Sequence, residues 1–413
     1  MDGEPVILRD HPIGGKTFAL VVQTQHGSSI ATTAIHRQQF SRRIGGARFV
    51  PNGGTDPRDH LAEVGHLASA MTEKCLAASI PADGQKSVIV ADKSVIDDED
   101  LKVDILREHI RAVIAVDPGA IFGPDINVPE GVQDRLAAES DLLDHVTGLS
   151  THARGLSIDT NGYTAEGVVR SIRGALGESI AGARVSVQGF GAVGAHSARL
   201  LGAAGARLYA ASNVSGALVA TGGQGIDAAL LFALWRSVGD GCLAAYVAVH
   251  ADAQLFPDPD DLLTIRVDVF LPAARTSVLA MPEELDAIRH AENPHVRDVT
   301  GFFRSTRAQI VVEGANHPLS HAAESYLEQH GVRILPDVIV NCGGLIGCWV
   351  EWGERRGATP VSSLESLADV ALDRVHRTID TNVRALLASG LPAREALQQI
   401  LRQNAPIAPA QTS

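Results

Sequence analysis

A glycine-rich segment at residues 189–194, GFGAVG, has the residue types and spacing of a phosphate-binding loop. It follows the run 183–188, typical of a strand, and precedes a run of small residues that is typical of a helix. At such a junction the first glycine of GxGxxG allows a tight turn, the second lets the backbone approach a pyrophosphate, and the third permits close packing of helix on strand. The helix N-terminus then faces the phosphates. The predicted cofactor contacts here are Gly189, Phe190, Gly191, Ala192, Val193 and Gly194.

The end of the next predicted strand does not decide between NAD and NADP. About 20 residues after the loop, an acidic residue normally bonds the ribose 2′-hydroxyl. This chain has Ser212-Asn213-Val214-Ser215 there. The neutral amide of Asn213 can bond a hydroxyl and does not repel a 2′-phosphate, but no arginine adjoins it to bind that phosphate. Both cofactors therefore stay open.

Neither the cysteines nor the histidines predict a metal site. The chain has 4 cysteines and no CxxC pair, which in so long a sequence is no disulfide framework. The closest histidine pair, His317 and His321, lies beside Glu313 and Glu324 in the sequence. A Pro-Leu step interrupts the pair, and no third ligand has suitable spacing. We predict no metal.

The composition excludes several classes of protein. At roughly 150 residues per domain, the chain of 413 residues predicts two or three domains. The 35 Lys and Arg against 48 Asp and Glu leave a net charge of −13, so no basic face for nucleic acid or an anionic membrane is implied. The first residues do not resemble a signal peptide, and no apolar run approaches the roughly 20 residues that span a bilayer. We expect a globular, cytoplasmic protein.

Hydrophobic periodicity predicts the elements that position the loop. Apolar residues recur every three or four positions from Asp59 to Ala78, typical of an amphipathic helix whose start Pro57 and Asp59 mark. A second helix is predicted at 100–116; strands are predicted at 17–35 (a hairpin), 87–91, 183–188, 207–213, 267–274, 309–315 and 332–340. Alternating strands and helices after about residue 155 predict a parallel doubly wound sheet.

These elements predict an α/β fold with two domains and a cleft between them. A substrate and oligomerisation domain is expected at 1–154 and a Rossmann-type dinucleotide-binding domain at 155–342. The C-terminal helices, at 343–413, are expected to pack back on the substrate domain.

Several short motifs together resemble the Glu/Leu/Phe/Val amino-acid dehydrogenase family, over residues 44–352. Their order and spacing carry the resemblance more than any single motif does. The matching segments are GGARF at 45–49, MTEK at 71–74, PADGQK at 81–86, TAEGV at 164–168, VSVQGFGAVG at 185–194, VVEGAN at 311–316, PDVIVNCGG at 336–344 and VEW at 350–352.

The resemblance implies an enzyme that converts an L-amino acid and an oxidised nicotinamide cofactor to a 2-oxo acid, ammonia and the reduced cofactor. By position, Lys74 holds the substrate α-carboxylate and Lys86, twelve residues on, is the catalytic lysine. A carboxylate entering a closing cleft needs a fixed cation. A lysine close to that cation has a depressed pKa, so it can handle water at the iminium carbon.

Further contacts follow from the same resemblance. Gly46 and Asn341 are predicted to meet the substrate. The remaining predicted cofactor contacts are Thr164, Ala274, Asn316 and Asn341.

The chain departs from the family at the place of a catalytic aspartate. Members carry this aspartate in a loop after G-P-x-x-x-x-P, where it works with the catalytic lysine in proton transfer. Matching the PEG segment at 129–131 to that loop puts Val132 at the aspartate's place. Valine cannot move protons, so Asp134 is predicted to substitute, with Asp83 as the alternative. Loss of a general acid or base costs about 10²- to 10⁴-fold in rate.

Two further departures concern the substrate. The family's GGAK loop reads Asp83-Gly84-Gln85-Lys86 here, so larger polar residues are expected to hold substrate or water differently near Lys86. Members that act on glutamate grip its side-chain carboxylate with a lysine and a serine. The matching positions are Ile44 and Cys348, where a buried carboxylate lacks a partner. Glutamate is therefore disfavoured.

Taken together, the residues predict an NAD(P)-dependent oxidoreductase that interconverts a non-glutamate L-amino acid with its 2-oxo or imino acid plus ammonia. Two alternatives stay open: a diverged reductase of a C=N or C=C bond in another metabolite, and a non-catalytic dinucleotide-binding subunit. Nucleic-acid and membrane partners are not expected. A homo-oligomer is expected, because the family assembles through its substrate domain and the N-terminal β runs supply sheet edges.

Overall fold

The computed structural model describes residues 4–52, 59–177, 179–291, 293–358 and 361–405. They divide into two compact units. The first unit takes its residues from Met1–Asn161, Leu345–Arg374 and Asn404–Ser413, and the second from Gly162–Gly344 and Val375–Gln403.

This division differs from the predicted domain boundaries in two places. The first boundary follows residue 161 and not 154, and the predicted C-terminal segment 343–413 is split between the units. Residues 375–403 belong to the second unit, where Asp380 pairs with Arg170 and Arg394 pairs with Glu313. Charged pairs at long sequence separation therefore help to hold this segment, together with buried apolar residues such as Ile379 and Val383.

A six-stranded mixed sheet forms the centre of the first unit. Its strands are β1 (Val6–Ile13), β2 (Lys16–His26), β3 (Ser29–Ile35), β4 (Arg43–Pro51), β5 (Asp83–Ala91) and β6 (Ala120–Gly123). The helices are α1 (Asp59–Ala77), α2 (Lys93–Ile96), α3 (Glu99–Val116), α4 (Glu130–Ala137) and α5 (Ile158–Asn161). The strand order is β1-β2-β3-β5-β4-β6. Strands β1, β2, β3 and β5 pair antiparallel in that order, and β4 is parallel to both β5 and β6.

Two hydrophobic clusters pack against this sheet and fix the direction of the side chains on β5. Val88 packs with Val64 of α1, and Ile89 packs with Leu106 of α3. Successive residues of a strand point to opposite faces. Lys86 therefore shares the α1 face with Val88, whereas Gln85 shares the α3 face with Ile89.

The sequence predicts the longest helices, the hairpin and part of β5 in the first unit, and it misses β1, β4, β6 and the short helices α2, α4 and α5. Helices α1 and α3 and the hairpin of β2 and β3 lie within one or two residues of their predicted bounds. Strand β1 is an additional edge strand, and β5 begins at Asp83 and not at Ser87. Pro57, the predicted start signal of α1, lies outside the described residues.

A seven-stranded sheet forms the centre of the second unit. Its strands are β7 (Arg184–Gln188), β8 (Arg207–Asn213), β9 (Gly216–Ala220), β10 (Ala253–Phe256), β11 (Val269–Pro272), β14 (Ile310–Val312) and β15 (Arg333–Leu335), and β12 (Leu279–Ala280) and β13 (Arg297–Asp298) form a separate pair. The helices are α6 (Tyr163–Leu176), α7 (Ala192–Ala203), α8 (Ala228–Val238), α9 (Cys242–Val249), α10 (Leu285–Ala291), α11 (Val299–Thr306), α12 (His321–Gln329) and α13 (Asp337–Val340). The remaining helices of the chain are α14 (Gly343–Arg355), α15 (Leu364–Ala388) and α16 (Ala393–Asn404).

The topology of this sheet confirms the predicted Rossmann-type arrangement. The strand order is β10-β9-β8-β7-β11-β14-β15, in which β8, β7, β11, β14 and β15 run parallel. One predicted strand, 332–340, is wrong in its second half, because residues 337–340 form helix α13. Pro336 caps that helix, and proline is well suited to a helix start because it needs no N–H partner there.

Within the described ranges, one helical segment is long and apolar enough to cross a membrane. It is Ala228–Val249, with a mean hydropathy of 1.3. This corrects the expectation that no apolar run approaches the length of a bilayer. The segment consists of α8 and α9, of 11 and 8 residues, separated by the turn Gly239–Gly241. A single segment of this kind is weak evidence for a membrane.

Candidate active site

Lys86 is a buried lysine on a central strand of the first unit, and its ammonium group has a carboxylate partner. Its Nζ lies 2.5 Å from Oδ2 of Asp125, with only 8% of the lysine side chain exposed. Because β4 runs parallel to β5 and β6, Gly46 lies level with Lys86 and opposite Gly123, two residues before Asp125. Adjacent parallel strands thus bring the three segments to one level of the sheet.

Arg48 holds the same carboxylate from β4. Its Nε donates to Oδ2 of Asp125 at 2.8 Å, and its Nη1 lies 3.5 Å from Oε1 of Glu63 on α1. Burial favours the neutral form of Asp125, but the positive charges of Lys86 and Arg48 outweigh it and lower its pKa. Asp125 is therefore ionised and oriented by two cations.

The same surroundings make Lys86 easier to deprotonate than an exposed lysine. Burial lowers the pKa of its ammonium group, the charge of Asp125 opposes this effect, and Arg48 adds to the lowering. A lysine with a depressed pKa can act as a base near neutral pH. The pair therefore combines a proton-accepting carboxylate with an amine that can exchange protons with water.

Gly46 leaves the space that the pair needs. A β-carbon built on this glycine would lie 2.8 Å from the Pro124 carbonyl oxygen and 3.1 Å from Nζ of Lys86. Only a residue without a side chain lets the backbone of β4 approach Lys86 so closely. The predicted substrate contact of Gly46 thus lies directly beside the lysine.

The structure corrects the placement of the aspartate. Val132 is fully buried in the cluster that packs with α3, so it takes no part in a polar site. The carboxylate of Asp134 accepts the backbone N–H of Ser150 at 2.8 Å, and Asp83 accepts the N–H of Phe40 at 2.8 Å. It is Asp125, which sequence reasoning missed, that contacts Lys86. The sequence does contain an indication of this role: Asp125 comes two residues after the buried strand β6, in the segment Gly123-Pro124-Asp125.

The enlarged residues before Lys86 do not alter its surroundings as expected. Gln85 lies on the opposite face of β5, is fully buried, and donates its amide to the carbonyl of Ile121 at 2.7 Å. Asp83 lies two residues before Gln85, so its side chain points to the same face of β5, and it is also fully buried. The alternation of side chains along a strand therefore separates both residues from the lysine.

Lys74 lies in the last turn of α1 and is half-buried. It belongs to the same unit as Lys86. Its role in holding the substrate α-carboxylate stays a prediction.

The two residues predicted to meet the substrate side chain are themselves uncharged and buried. Ile44 is buried on β4. Cys348 is buried, and β-carbons built on Gly123 and Gly148 would lie 3.9 Å and 3.5 Å from its Sγ. Burial, with a contribution from the negative charge of Glu351, raises the pKa of the Cys348 thiol well above its ordinary value, so the thiol is neutral.

A negative charge lies within electrostatic reach of Cys348. It belongs to Asp159, at the end of the first unit. Desolvation and then the charges of Glu130 and Asp125 raise the pKa of Asp159 to about 6. The negative charges of Glu351 and Asp159 disfavour an anionic substrate group near Cys348, and the positive charge of Arg355 opposes them with a smaller contribution.

In the second unit, the glycine loop has the geometry that a pyrophosphate requires. Gly191 caps α7, no side chain of the loop bonds the helix N-terminus, and a β-carbon built on Gly191 would meet no atom within 4 Å. A β-carbon on Gly194 would lie 1.9 Å from the Gly189 carbonyl oxygen. An open approach to free helix N–H groups fits a dinucleotide phosphate.

The flanking residues of the loop are placed as follows. Ala274 packs against Gly189, and Phe190 is buried, so only its backbone is available to a cofactor. Ala192 and Val193 begin α7 and are half-buried.

The predicted asparagines lie together in the second unit. The amide of Asn341 donates to Asn316 Oδ1 at 3.2 Å and to the Gly314 carbonyl at 3.3 Å. Its own Oδ1 is buried and, within the described part of the chain, accepts no hydrogen bond. A buried acceptor without a donor fits the amide of a nicotinamide or an amino group. Thr164, in the first turn of α6, packs against Gly343, two residues after Asn341.

Asn213 does not have the free amide that its predicted ribose contact needs. Its Oδ1 accepts from both the N–H and the hydroxyl of Ser215, and its Nδ2 donates to the Asp240 carbonyl at 2.8 Å and approaches the Cys242 sulfur at 3.8 Å. An asparagine side chain has two donor and two acceptor positions. All are used in holding the turn after β8, so Asn213 is a structural residue here.

No group of three His, Cys, Asp or Glu side chains among the described residues is arranged to hold a metal ion. The glutamates beside His317 and His321 bind an arginine instead: Glu313 and Glu324 both accept from Arg394.

Known proteins resemble this chain over most of its length. The profile of the family described as Glutamate/Leucine/Phenylalanine/Valine dehydrogenase matches residues 155–396. An NADP-specific glutamate dehydrogenase of Saccharolobus shibatae is 27% identical over 351 residues, which cover 82% of this chain and 74% of that protein. A glutamate dehydrogenase A2 of Halobacterium salinarum is 29% identical over 349 residues, covering 81% and 76%.

Solved structures share the fold. A hetero-hexameric glutamate dehydrogenase from Thermus thermophilus superimposes with a TM-score of 0.68 at 24% identity, covering 97% of this chain and 88% of that chain. An L-tryptophan dehydrogenase from Nostoc punctiforme superimposes with a TM-score of 0.57 at 20% identity, covering 93% and 94%.

Proposed function

Since the chain belongs to the Glutamate/Leucine/Phenylalanine/Valine dehydrogenase family, we propose that it oxidises an L-amino acid other than glutamate, with Lys86 and Asp125 as its catalytic residues. The coarser activity follows from membership: the chain is an NAD(P)-dependent amino-acid dehydrogenase that acts on a CH–NH2 group. The observation that carries the proposal is the buried contact of 2.5 Å between Lys86 and Asp125.

The ionised carboxylate of Asp125 is suited to take a proton from the substrate ammonium group. A bound oxidised nicotinamide would supply the acceptor for the hydride on Cα, and loss of that hydride converts the substrate amine to an iminium. Lys86, in its neutral form, accepts a proton from the water that attacks the iminium carbon and gives it to the nitrogen. Lys86 then takes the proton of the new hydroxyl as ammonia leaves and the 2-oxo acid forms. The depressed pKa of Lys86 and the lowered pKa of Asp125 both favour the protonation states that these steps require.

Other residues of the chain position the reactants. Lys74 is proposed to bind the α-carboxylate. The open face beside Gly191 is proposed to receive the pyrophosphate, and the free acceptor of Asn341 to orient the nicotinamide amide or the substrate amino group.

Three residues support a substrate other than glutamate. Ile44 and Cys348 offer no positive charge, and Asp159 is a negative group near Cys348. Burying an ionised carboxylate without a partner costs several kcal/mol. An uncharged or basic side chain avoids that cost.

No observation now favours a diverged reductase or a non-catalytic subunit. The diverged reductase depended on a missing aspartate and an altered lysine loop, but Asp125 contacts Lys86 and Gln85 lies on the opposite face of β5.

The test is a substrate panel followed by absorbance of the reduced nicotinamide. Wild-type protein is assayed with NAD and with NADP, against L-amino acids with acidic, aliphatic, aromatic and basic side chains, and against 2-oxo acids with ammonia. Lys86→Ala is the blank. Turnover of a non-acidic amino acid, absent in the blank, supports the proposal. Glutamate used as well as the best of the others would refute the substrate assignment, and turnover that survives in the blank would refute the catalytic one.

A further inference from the structure

One charged cluster of the second unit has no part in the proposed chemistry. It consists of Arg394 on α16, Glu313 after β14, Glu324 on α12 and Asp337 at the start of α13, and we call it the Arg394 cluster. The guanidinium donates at 2.7 Å to Glu313, at 2.6 Å and 2.9 Å to Glu324, and at 3.0 Å to Asp337. One arginine therefore joins three segments to the last helix.

The cluster is buried, so its negative charges need a cation close by. The three carboxylate side chains are 0%, 2% and 1% exposed, and the arginine side chain is 21% exposed. Burial opposes the charge of Arg394, but the carboxylates outweigh it and raise the pKa of the guanidinium. Burial raises the pKa of Glu313 well above its ordinary value; Arg394 opposes this effect, and Glu324 and Asp337 add to it. Without Arg394, buried negative charges would face one another with no cation.

The cluster connects directly to the backbone that carries both asparagines. Glu313 Oε2 accepts the N–H of Asp337 at 3.1 Å, and Asp337 Oδ2 accepts the N–H of His317 at 3.1 Å. His317 follows Asn316 in the chain, and the N–H of Asn341 bonds the Asp337 carbonyl at 2.9 Å. Both asparagines are therefore tied to Asp337, whose carboxylate Arg394 binds: Asn341 through its own N–H, and Asn316 through the N–H of the next residue, His317.

We infer that Arg394 is a positioning residue for the cofactor: it fixes the Asn316 and Asn341 segments against each other, and so sets the distance and direction of the Asn341 acceptor. Arg394 acts through Glu313 and Asp337 and does not itself touch the cofactor. The inference rests on the proposed role of Asn341. It assigns a binding function to a helix near the end of the chain, far in sequence from the glycine loop.

The experiment measures binding of the reduced cofactor by its fluorescence, together with the melting temperature and steady-state kinetics. We expect Arg394→Met to raise the Kd and the KM of the cofactor by about tenfold to a hundredfold, since a displaced Asn341 acceptor forfeits a buried hydrogen bond to the cofactor. At saturating cofactor, kcat should stay near the wild-type value. Arg394→Lys keeps the charge with fewer bonds, so its Kd should be intermediate.

Arg170→Met is the matched control. Arg170 also pairs with a carboxylate of the second unit, with Nε and Nη2 each 2.5 Å from Asp380, and the two side chains are 27% and 25% exposed. We expect this variant to lose thermal stability and to keep its cofactor Kd. An equal rise in Kd in both variants at matched loss of stability would reduce Arg394 to a structural residue and overturn the inference, as would unchanged binding in a folded Arg394→Met.

Two further variants keep the result decisive. If Arg394→Met does not fold, Asp337→Asn removes one charge partner with little change of shape, and the same two outcomes apply to it. Asn341→Ala separates the two proposals: a weakened Kd supports its proposed role. Normal binding in Asn341→Ala with weak binding in Arg394→Met would contradict the role of Asn341, and with it the route by which Arg394 is inferred to act.

Discussion

Asp125 is the carboxylate that Lys86 contacts, and removing its charge tests the proposed chemistry most directly. We expect Asp125→Asn to lower kcat by about 10²- to 10⁴-fold, because the amide has nearly the same shape but cannot accept a proton. Asp134→Asn is the matched control, since the Asp134 carboxylate accepts the Ser150 N–H instead. Steady-state kinetics with cofactor binding as a check on folding gives the answer. A large loss in the control with normal activity in Asp125→Asn would reverse the assignment.

Arg48 offers a test of the depressed pKa of Lys86. The positive charge of Arg48 contributes to lowering that pKa, so Arg48→Met should raise it. If neutral Lys86 is the active form, the acid limb of kcat/KM against pH then moves to higher pH. Arg48→Lys retains the charge and should leave the limb in place, with a lower kcat because Asp125 is held less well. An unmoved limb in Arg48→Met would show that Lys86 is not the group that titrates.

Residue types and spacing singled out Lys86 but misplaced its carboxylate. The loop after β6 offers two proline–acid steps, Pro124-Asp125 and Pro129-Glu130, and counting from the second leads to Val132. Only the pairing of β6 with β4 shows that the first step lies level with Lys86. Asn213 illustrates a second limit: its type suits a ribose hydroxyl, but its hydrogen bonds are used by Ser215 and Asp240. Chemical type is readable from sequence, whereas availability depends on neighbours in space.

At the scale of elements, substitutions at two glycines of the loop distinguish an effect on cofactor binding from an effect on folding. Gly191 has an extended backbone and open space beside it, so Gly191→Ala should melt at the wild-type temperature while its affinity for the dinucleotide falls, since the added methyl occupies the approach to the pyrophosphate. Gly194→Ala should instead lose stability, because its methyl would lie 1.9 Å from the Gly189 carbonyl oxygen.

Melting curves with and without cofactor distinguish the two variants. Wild-type protein should be stabilised by the cofactor through mass action, and Gly191→Ala should lose that shift. If Gly191→Ala keeps the full shift, the pyrophosphate does not approach at this glycine.

The elements themselves follow from the sequence to different degrees. Long helices such as α1 and α3 are predictable because their apolar period is sustained over several turns. The short strand β15 and helix α13 are not separable by pattern, because the run from Arg333 to Val340 is almost continuously apolar and only Pro336 divides it. The sequence shows which residues of β5 share a face, because side chains alternate along a strand. It does not show which of the two faces packs against α1.

At the scale of the whole molecule, the second unit was predictable and the division of the C-terminal segment was not. A βαβ unit with a glycine loop predicts the parallel sheet, because the phosphate-binding geometry depends on that local order. Residues 375–403 join the second unit through pairs such as Arg170 with Asp380, which are more than 200 residues apart in the chain. No local signal predicts such pairs.

The edge of the six-stranded sheet leads to a prediction about assembly. Among the strands that the structure describes, β1 pairs with β2 alone, and its first residues, Val6, Ile7 and Leu8, are 51%, 39% and 36% exposed. An exposed apolar edge strand offers both backbone hydrogen bonds and apolar area to another chain. The related structure from Thermus thermophilus is described as hetero-hexameric. We propose that this chain forms a homo-oligomer in which β1 contributes to the interface.

The double variant Val6→Lys with Leu8→Lys tests this proposal. Both side chains are exposed within the unit, so the charges should leave the fold intact, whereas two like charges brought together at a symmetric contact repel one another and are costly to desolvate. We expect light scattering to show a smaller assembly than for the wild type, with an unchanged circular dichroism spectrum. Leu101→Lys, a similarly exposed position on α3 at 42%, should keep the wild-type mass. An unchanged mass in the double variant would show that β1 is not part of the interface. A monomeric wild type would rule out the homo-oligomer itself.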